Sequence, residues 1–261
     1  IMINEEDILI AKEKPEVNSL RLSSSQISTF EQCQRKWKFR YVDKIYGDST
    51  SAMVLGTFVH SIFENLFALP KSERTLDQTK IIARQQWEEL ETDEDFIKFE
   101  LNELEQKEFR ITAWNLVKRL WDLENPETVN VIDVEKKVEF DITEDISMIG
   151  FIDRLSESNG NLDIIDYKTG KRPSKNYESD KVQQIFLYAL AISKLMDEKI
   201  GKGKLLFLGG NDPGIISRSI TDEIIEKTEE KLVSDALVIS KCKQNPDNLP
   251  ASTGPLCGWC D

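Results

Sequence analysis

The sequence predicts an α+β fold: a helical N-terminal half, then a small mixed central β-sheet flanked by helices. Two observations carry this. Apolar residues recur at helical spacing up to Leu123, and from Val129 onward runs rich in Val, Ile and Phe alternate with turn residues. The composition agrees with a globular chain: of 261 residues, 39% are hydrophobic and 31% charged. A chain of this length buries a full core without disulfide staples.

The first 20 residues carry five acids and no apolar signal core, so a flexible acidic arm is expected over 1–20. Ser23 to Ser25 read as helix caps ahead of Ile27, Phe30, Trp37 and Tyr41, spaced as one helical stripe. Gly56 is expected to open a second helix that runs to Leu69 and stops at Pro70. Thr75 to Leu123 is helical almost throughout, with a break near Thr92, and Asn125-Pro126 ends it. This stretch, about 70–125, reads as a helical insertion in a single domain over 21–261.

Strands are expected over Val129 to Ile142, Ser147 to Leu155 and Asn161 to Tyr167. A loop with Gly170 and Pro173 leads to a helix from about Lys181 to Met196. Lys204 to Leu208 and Ile215 to Ile220 form a strand pair around Asn211-Asp212-Pro213-Gly214. A last helix spans Thr221 to about Cys242, and the chain ends in a cysteine tail, Cys257-Gly-Trp-Cys260. No apolar run reaches the ~18 residues of a membrane span. Four cysteines without a secretory segment fit a reducing compartment.

The chemistry concentrates around Gly150-Phe-Ile-Asp153 and Asp166-Tyr-Lys168-Thr-Gly170-Lys171. Asn159-Gly160 is a strong signal for a two-residue hairpin turn. Counted from that turn, Ser158 pairs with Asn161 and Asp153 falls opposite Asp166, with Cβ atoms roughly 5 Å apart. Opposed carboxylates repel unless a cation neutralises them, and hard oxygen donors suit Mg²⁺ or Mn²⁺. Lys168, two residues after Asp166, shares its face. His60, the only histidine, lies four residues before Glu64 on an apolar helix, where a lone histidine is more often a core residue. Gln184 and Tyr188 are likewise four apart on one helical face.

Taken in order, these pieces resemble the RecB-like branch of the PD-(D/E)XK nuclease superfamily, which includes AddB-type and iron–sulfur CRISPR-associated nucleases. The matching stretches are Leu22-Ser-Ser-Ser-Gln-Ile-Ser-Thr-Phe-Glu-Gln-Cys33, Gly56-Thr-Phe-Val-His60, Gly150-Phe-Ile-Asp153, Asp166-Tyr-Lys168-Thr-Gly170, Gln184-Ile-Phe-Leu-Tyr188 and Gly254-Pro-Leu-Cys257-Gly-Trp-Cys260. The resemblance implies a restriction-endonuclease-like core and a metal-dependent DNase, most simply an exonuclease, in DNA repair, recombination or CRISPR-type processing. It implies His60, Asp153, Asp166 and the Tyr167 carbonyl as ligands of Mg²⁺ or Mn²⁺. Asp153, Asp166, Lys168, Gln184 and Tyr188 would form the catalytic set. It further implies a [4Fe–4S] cluster on Cys33, Cys257 and Cys260, with a fourth ligand expected beyond Asp261, or Cys242 in its place. A helicase or CRISPR adaptation proteins would be partners, in the cytoplasm of a bacterium, an archaeon or a phage-infected cell.

The net charge of −13 argues weakly against nucleic acid, since local potential decides binding. Two basic stretches are the candidate DNA contacts: Arg35, Lys36, Lys38, Arg40 and Lys44, then Lys168, Lys171, Arg172 and Lys175. The competing reading from another class is a non-catalytic iron–sulfur DNA-binding subunit on the same fold, against which the intact acids and lysine weigh. Thioredoxin-like, zinc-deaminase, zinc-ribbon and P-loop readings fail on spacing.

Overall fold

The computed structural model describes residues 20–254 except Asp197 and the side chain of Asp180, together with Cys257, Gly258 and Cys260. The expected arm over 1–19 lies outside the described residues. Leu20 does not belong to an arm: Leu20–Leu22 is a buried strand, β1.

Helices dominate the first half. Ser23 caps α1 (Ser24–Gln32), its hydroxyl accepting the Gln26 N–H. The continuous helix expected as far as Tyr41 is interrupted at Cys33, whose backbone is extended. Cys33 ends α1 and caps the short α2 (Gln34–Trp37), and a π turn, Lys38–Val42, follows. Helix α3 (Ser51–Ala68) starts at its Thr50 cap, six residues before Gly56, so Gly56 sits within the helix rather than opening it. A Cβ there would make only ordinary contact, 3.5 Å from Thr169 Oγ1. The 75–123 stretch divides into α4 (Leu76–Leu90), α5 (Glu94–Ile97), α6 (Glu103–Lys118) and α7 (Leu120–Leu123), with a capping box between Asn102 and Glu105 restarting the chain at α6.

The second half forms the sheet: β2 (Asn130–Thr143), β3 (Ile146–Ser158), β4 (Asn161–Lys171), β5 (Ile200–Gly209) and β6 (Gly214–Ser219). Helix α8 (Glu178–Leu195) carries the crossover between the parallel strands β4 and β5, and α9 (Asp222–Gln244) follows β6. Strand order is β1-β3-β4-β5-β6, with β2 along the other edge of β3. Two strands share one edge of β3: β1 pairs with Ile146–Met148 and β4 with Arg154–Ser158. Residues 149–153 between them have no ladder partner on that edge among the described residues.

Alternation on β4 and β5 separates two cores. Leu162, Ile164, Leu205 and Phe207 pack with α1, α8 and α9, whereas Ile165, Tyr167, Leu206 and Leu208 pack with α3, α4, α6 and α7. The arrangement is the α+β architecture expected, with the helical segment covering one face of the sheet.

Candidate active site

The Asn159-Gly160 turn forms as expected, with both residues at positive φ (52° and 75°). The register it dictates runs without a slip from Ser158↔Asn161 to Arg154↔Ile165. There the ladder stops, one pair short of Asp153 and Asp166. The Asp153 carboxylate takes over: its Oδ2 accepts the Tyr167 backbone N–H at 2.7 Å. The expectation of Asp153 and Asp166 as a direct ladder pair is therefore corrected, while the two carboxylates stay near enough for the Asp153 charge to raise Asp166. Asp153 sits in the fork where β4 leaves β3, and Asp166 stands beyond it on the α8 side with Lys168.

The alternation of β2 and β3 breaks at the same level. Ile152 and Leu155 both pack in the α8-side core, although three residues apart. Arg154 between them places its guanidinium 4.1 Å from the Phe67 ring centroid of α3. On β2, Glu135 has a positive φ of 45°, and Val134 packs on the α3-side core while Val138 and Phe140 join the other. The flanking pairs Val134↔Arg154 and Lys136↔Ile152 put Glu135 opposite Asp153. A glutamate held in left-handed backbone is strained, and such strain clusters at sites that need it.

His60 approaches from α3. Its Nε2 lies 3.0 Å from the Tyr167 carbonyl oxygen, an acceptor only, so Nε2 carries a proton. Its Nδ1 lies 3.5 Å from Asp153 Oδ2. One donor atom each from His60, Glu135 and Asp153 fall within 4.8 Å of one another. This triplet is not the set expected: Glu135 joins it, and Asp166 is not a member. Two carboxylates and an imidazole whose outer nitrogen is already fixed by a carbonyl match the donor chemistry of a divalent-ion site.

Burial and charge shift three acid–base groups here, Asp166, Glu135 and His60. Burial pushes the Asp166 carboxyl up to about 6, and the nearby Asp153 charge adds to this. Burial also raises Glu135, reinforced by Asp153 and by Glu64. Burial alone would lower His60, yet its bond to Asp153 and the charges of Asp153 and Asp166 raise it. Excess negative charge in a desolvated fork is what a cation relieves.

Lys168 begins a polar chain. Its ammonium lies 2.7 Å from Asp166 Oδ2 and donates to Gln184 Oε1 at 3.2 Å. Gln184 Nε2 donates to the Tyr188 hydroxyl at 2.9 Å, and that hydroxyl also meets the Ser24 side chain. The Tyr188 ring lies against Gly150, where an added Cβ would come within 2.6 Å of it. This is why the stretch before Asp153 needs a glycine. His60, Tyr167, Lys168 and Gln184 line one cleft of about 530 Å³ with Ser24, Ser25, Ser28, Lys171 and Lys181.

The basic candidates divide. Arg35 donates to the Leu249 carbonyl at 2.7 Å and Lys38 pairs with Asp43, so both serve the fold. Arg172 pairs with Glu178, which also holds Arg218. Lys36, Arg40, Lys44 and Lys175 lie away from the cleft lining, and Lys171 alone of the expected contacts beyond Lys168 reaches it.

The cysteine ends meet at one residue. Cys33 Sγ accepts the Ser252 N–H at 3.4 Å, and Cys257 Sγ donates to the Ser252 carbonyl at 3.8 Å. Cys260 follows, its N–H on the Cys257 carbonyl. Cys242 packs instead against the α8-side core.

A family model described as the PD-(D/E)XK nuclease superfamily matches residues 21–261. The Gene 69 protein of Mycobacterium phage L5 is 24% identical over 92% of this chain and 93% of its own. The crystal structure of a candidate exonuclease from Eubacterium rectale superposes with a TM-score of 0.60 at 13% identity, covering all of this chain and 92% of the other.

Proposed function

Because the chain belongs to the PD-(D/E)XK nuclease superfamily, we propose that it is a deoxyribonuclease dependent on Mg²⁺ or Mn²⁺ that works as an exonuclease. The observation that carries this reading is the convergence of His60, Glu135 and Asp153 donors at the fork where the Asp166–Lys168–Gln184–Tyr188 chain begins.

His60 through Nδ1, Glu135 and Asp153 would hold the ion, with Asp166 beside it, and the Tyr167 carbonyl, expected as a ligand, would instead fix the imidazole through Nε2. When bound, a divalent ion acidifies water and offsets charge on a phosphoryl group. The protein does the rest. Asp153 holds the Tyr167 backbone through its N–H, and the Tyr167 carbonyl in turn holds the His60 ring. Lys168, kept charged by Asp166, presents an ammonium to the scissile phosphate. Gln184 and Tyr188 set the position of that ammonium and reach the DNA backbone.

The finer expectations stand as parts of the proposal. An iron–sulfur cluster of the RecB-like branch on Cys33, Cys257 and Cys260 is part of the proposal, supported by the bonds that Cys33 and Cys257 both make to Ser252, with the fourth ligand unassigned. The phage relative is compatible with a phage-encoded cytoplasmic enzyme. No helix among the described residues is long and apolar enough to cross a membrane. Work on DNA ends beside a helicase or CRISPR adaptation proteins is the remaining part.

The test is digestion of end-labelled single- and double-stranded DNA with Mg²⁺, Mn²⁺ or chelator. Wild type should shorten the label stepwise only with metal, and Asp166→Ala and Lys168→Ala should not cut. Unchanged cutting by Asp166→Ala would sink the proposal.

A further inference from the structure

The end of β4 carries an irregularity that the catalytic set does not use. Lys168 pairs with Phe207 and Lys171 with Gly209, so three residues of β4 span two of β5. The extra residue makes a bulge at Thr169–Gly170. It is built into the neighbouring strand: a Cβ on Gly209 would lie 2.3 Å from the Thr169 carbonyl oxygen, and Gly210, at φ +78°, lies against the Lys171 side chain. Only glycine allows the bulge to rest there.

A bulge changes where the next side chain points. In a regular strand, Lys168 and Lys171 would face opposite sides. With the bulge, both line the same cleft. Lys168 is committed to Asp166 and Gln184, and Lys171 stands up to roughly 10 Å further along the strand. Lys168 is held by its own partners, which leaves Lys171 to take a different phosphate.

Lys181, from the first turns of α8, lines the cleft with Lys171, and neither is in an ion pair among the described residues. The exposed Ser25 and Ser28 of α1 line the same cleft, as does Glu31, whose carboxylate is paired with Lys231. Two uncommitted ammonium groups beside hydroxyl donors, in a chain of net charge −13, form a local anion site.

We propose that the Thr169–Gly170 bulge creates a second phosphate subsite, in which Lys171 and Lys181 with Ser25 and Ser28 hold the phosphate adjacent to the scissile one on the same strand. It rests on the nuclease reading above and adds the device that sets the strand's register on the catalytic lysine.

The experiment separates binding from cutting. Affinity for a fluorescent single-stranded oligonucleotide is measured on Asp166→Asn protein in chelator across a salt series. Removing both lysines (Lys171→Ala with Lys181→Ala) should flatten the slope of log K against log salt by about 1.4, or 0.7 per lysine. In otherwise wild-type protein the same pair should raise KM at least fivefold while kcat stays within twofold. Oligonucleotides with and without a terminal phosphate tell a monoester occupant from a diester. An unchanged slope and unchanged KM in the lysine pair would overturn the subsite while leaving the nuclease intact. A wild type that cuts nothing, yet shows the slope change, would overturn the nuclease reading and leave the anion site standing.

Discussion

The Asp153 carboxylate accepts the Tyr167 N–H at 2.7 Å, across the point where β3 and β4 part. One side chain thus replaces a ladder bond and holds the site's carbonyl in place. Asp153→Asn and Asp153→Ala both remove the charge, but only Asn keeps an acceptor. Both variants should lose cutting. The alanine variant should be less stable than the asparagine one by about 1–3 kcal/mol, the cost of a buried unpartnered N–H. Equal denaturant midpoints would show that the bond holds nothing.

Glu135, opposite Asp153, has a backbone only glycine adopts freely. Glu135→Gly should therefore be more stable than Glu135→Ala by about 1 kcal/mol. Calorimetric titration should find Mn²⁺ binding weakened tenfold or more in both. Wild-type Mn²⁺ affinity in either variant would remove Glu135 from the metal centre.

The pH response of the metal-free protein follows from Asp166. Its folded pKa of about 6 lies above the ordinary 3.8, so the folded state binds the proton more tightly. Stability from this group is full below about pH 4 and is lost as pH rises through 6. The full shift corresponds to roughly 3 kcal/mol. Asp166→Asn should accordingly match wild type at pH 4 and melt higher at pH 7.5 in chelator. A wild type that melts higher at pH 7.5 would reverse the sign.

Gly150→Ala drives a methyl group into the Tyr188 ring. It should cost about 1–3 kcal/mol, the range for overpacking, and reduce kcat by displacing the chain that ends on Lys168. Combining it with Tyr188→Leu should return the stability but not the activity. A fully active Gly150→Ala would disconnect Tyr188 from catalysis.

Iron analysis after anaerobic purification tests the cysteines. Cys33→Ser and Cys257→Ser should lose visible absorbance together with thermal stability, because a cluster closing so long a loop restrains the unfolded chain. Cys242→Ser should keep both. Colour lost in Cys242→Ser alone would reassign the ligands.

Much of the site was legible because it is local. The Asn159-Gly160 turn fixes the β3–β4 register through five pairs, and helical spacing puts Gln184 and Tyr188 on one face. Cys33 in extended backbone, by contrast, breaks a helix that apolar spacing alone continues to Tyr41.

Glu135 was not legible, for a reason of one residue. Counting back from Glu144-Asp145, where Thr143 pairs with Ile146, places Glu135 opposite Arg154. An irregularity between Asp141 and Thr143 shifts the register, so that Glu135 meets Asp153 instead. A single-residue slip exchanges the faces of a strand, and no turn signal announces it.

The sequence by itself determined most of the element types, the hairpin turn and the shared helical face of Gln184 and Tyr188, because turns and helical faces depend on neighbours a few positions apart. Tertiary structure decided the rest. It laid α3 against the fork so that His60 meets Tyr167, added Glu135, engaged Arg35, Lys38 and Arg172 with partners of their own, and seated a bulge on Gly209 that turns Lys171 into the cleft. Those outcomes depend on packing between segments far apart in the chain, where the deciding quantity is the space left by a distant backbone.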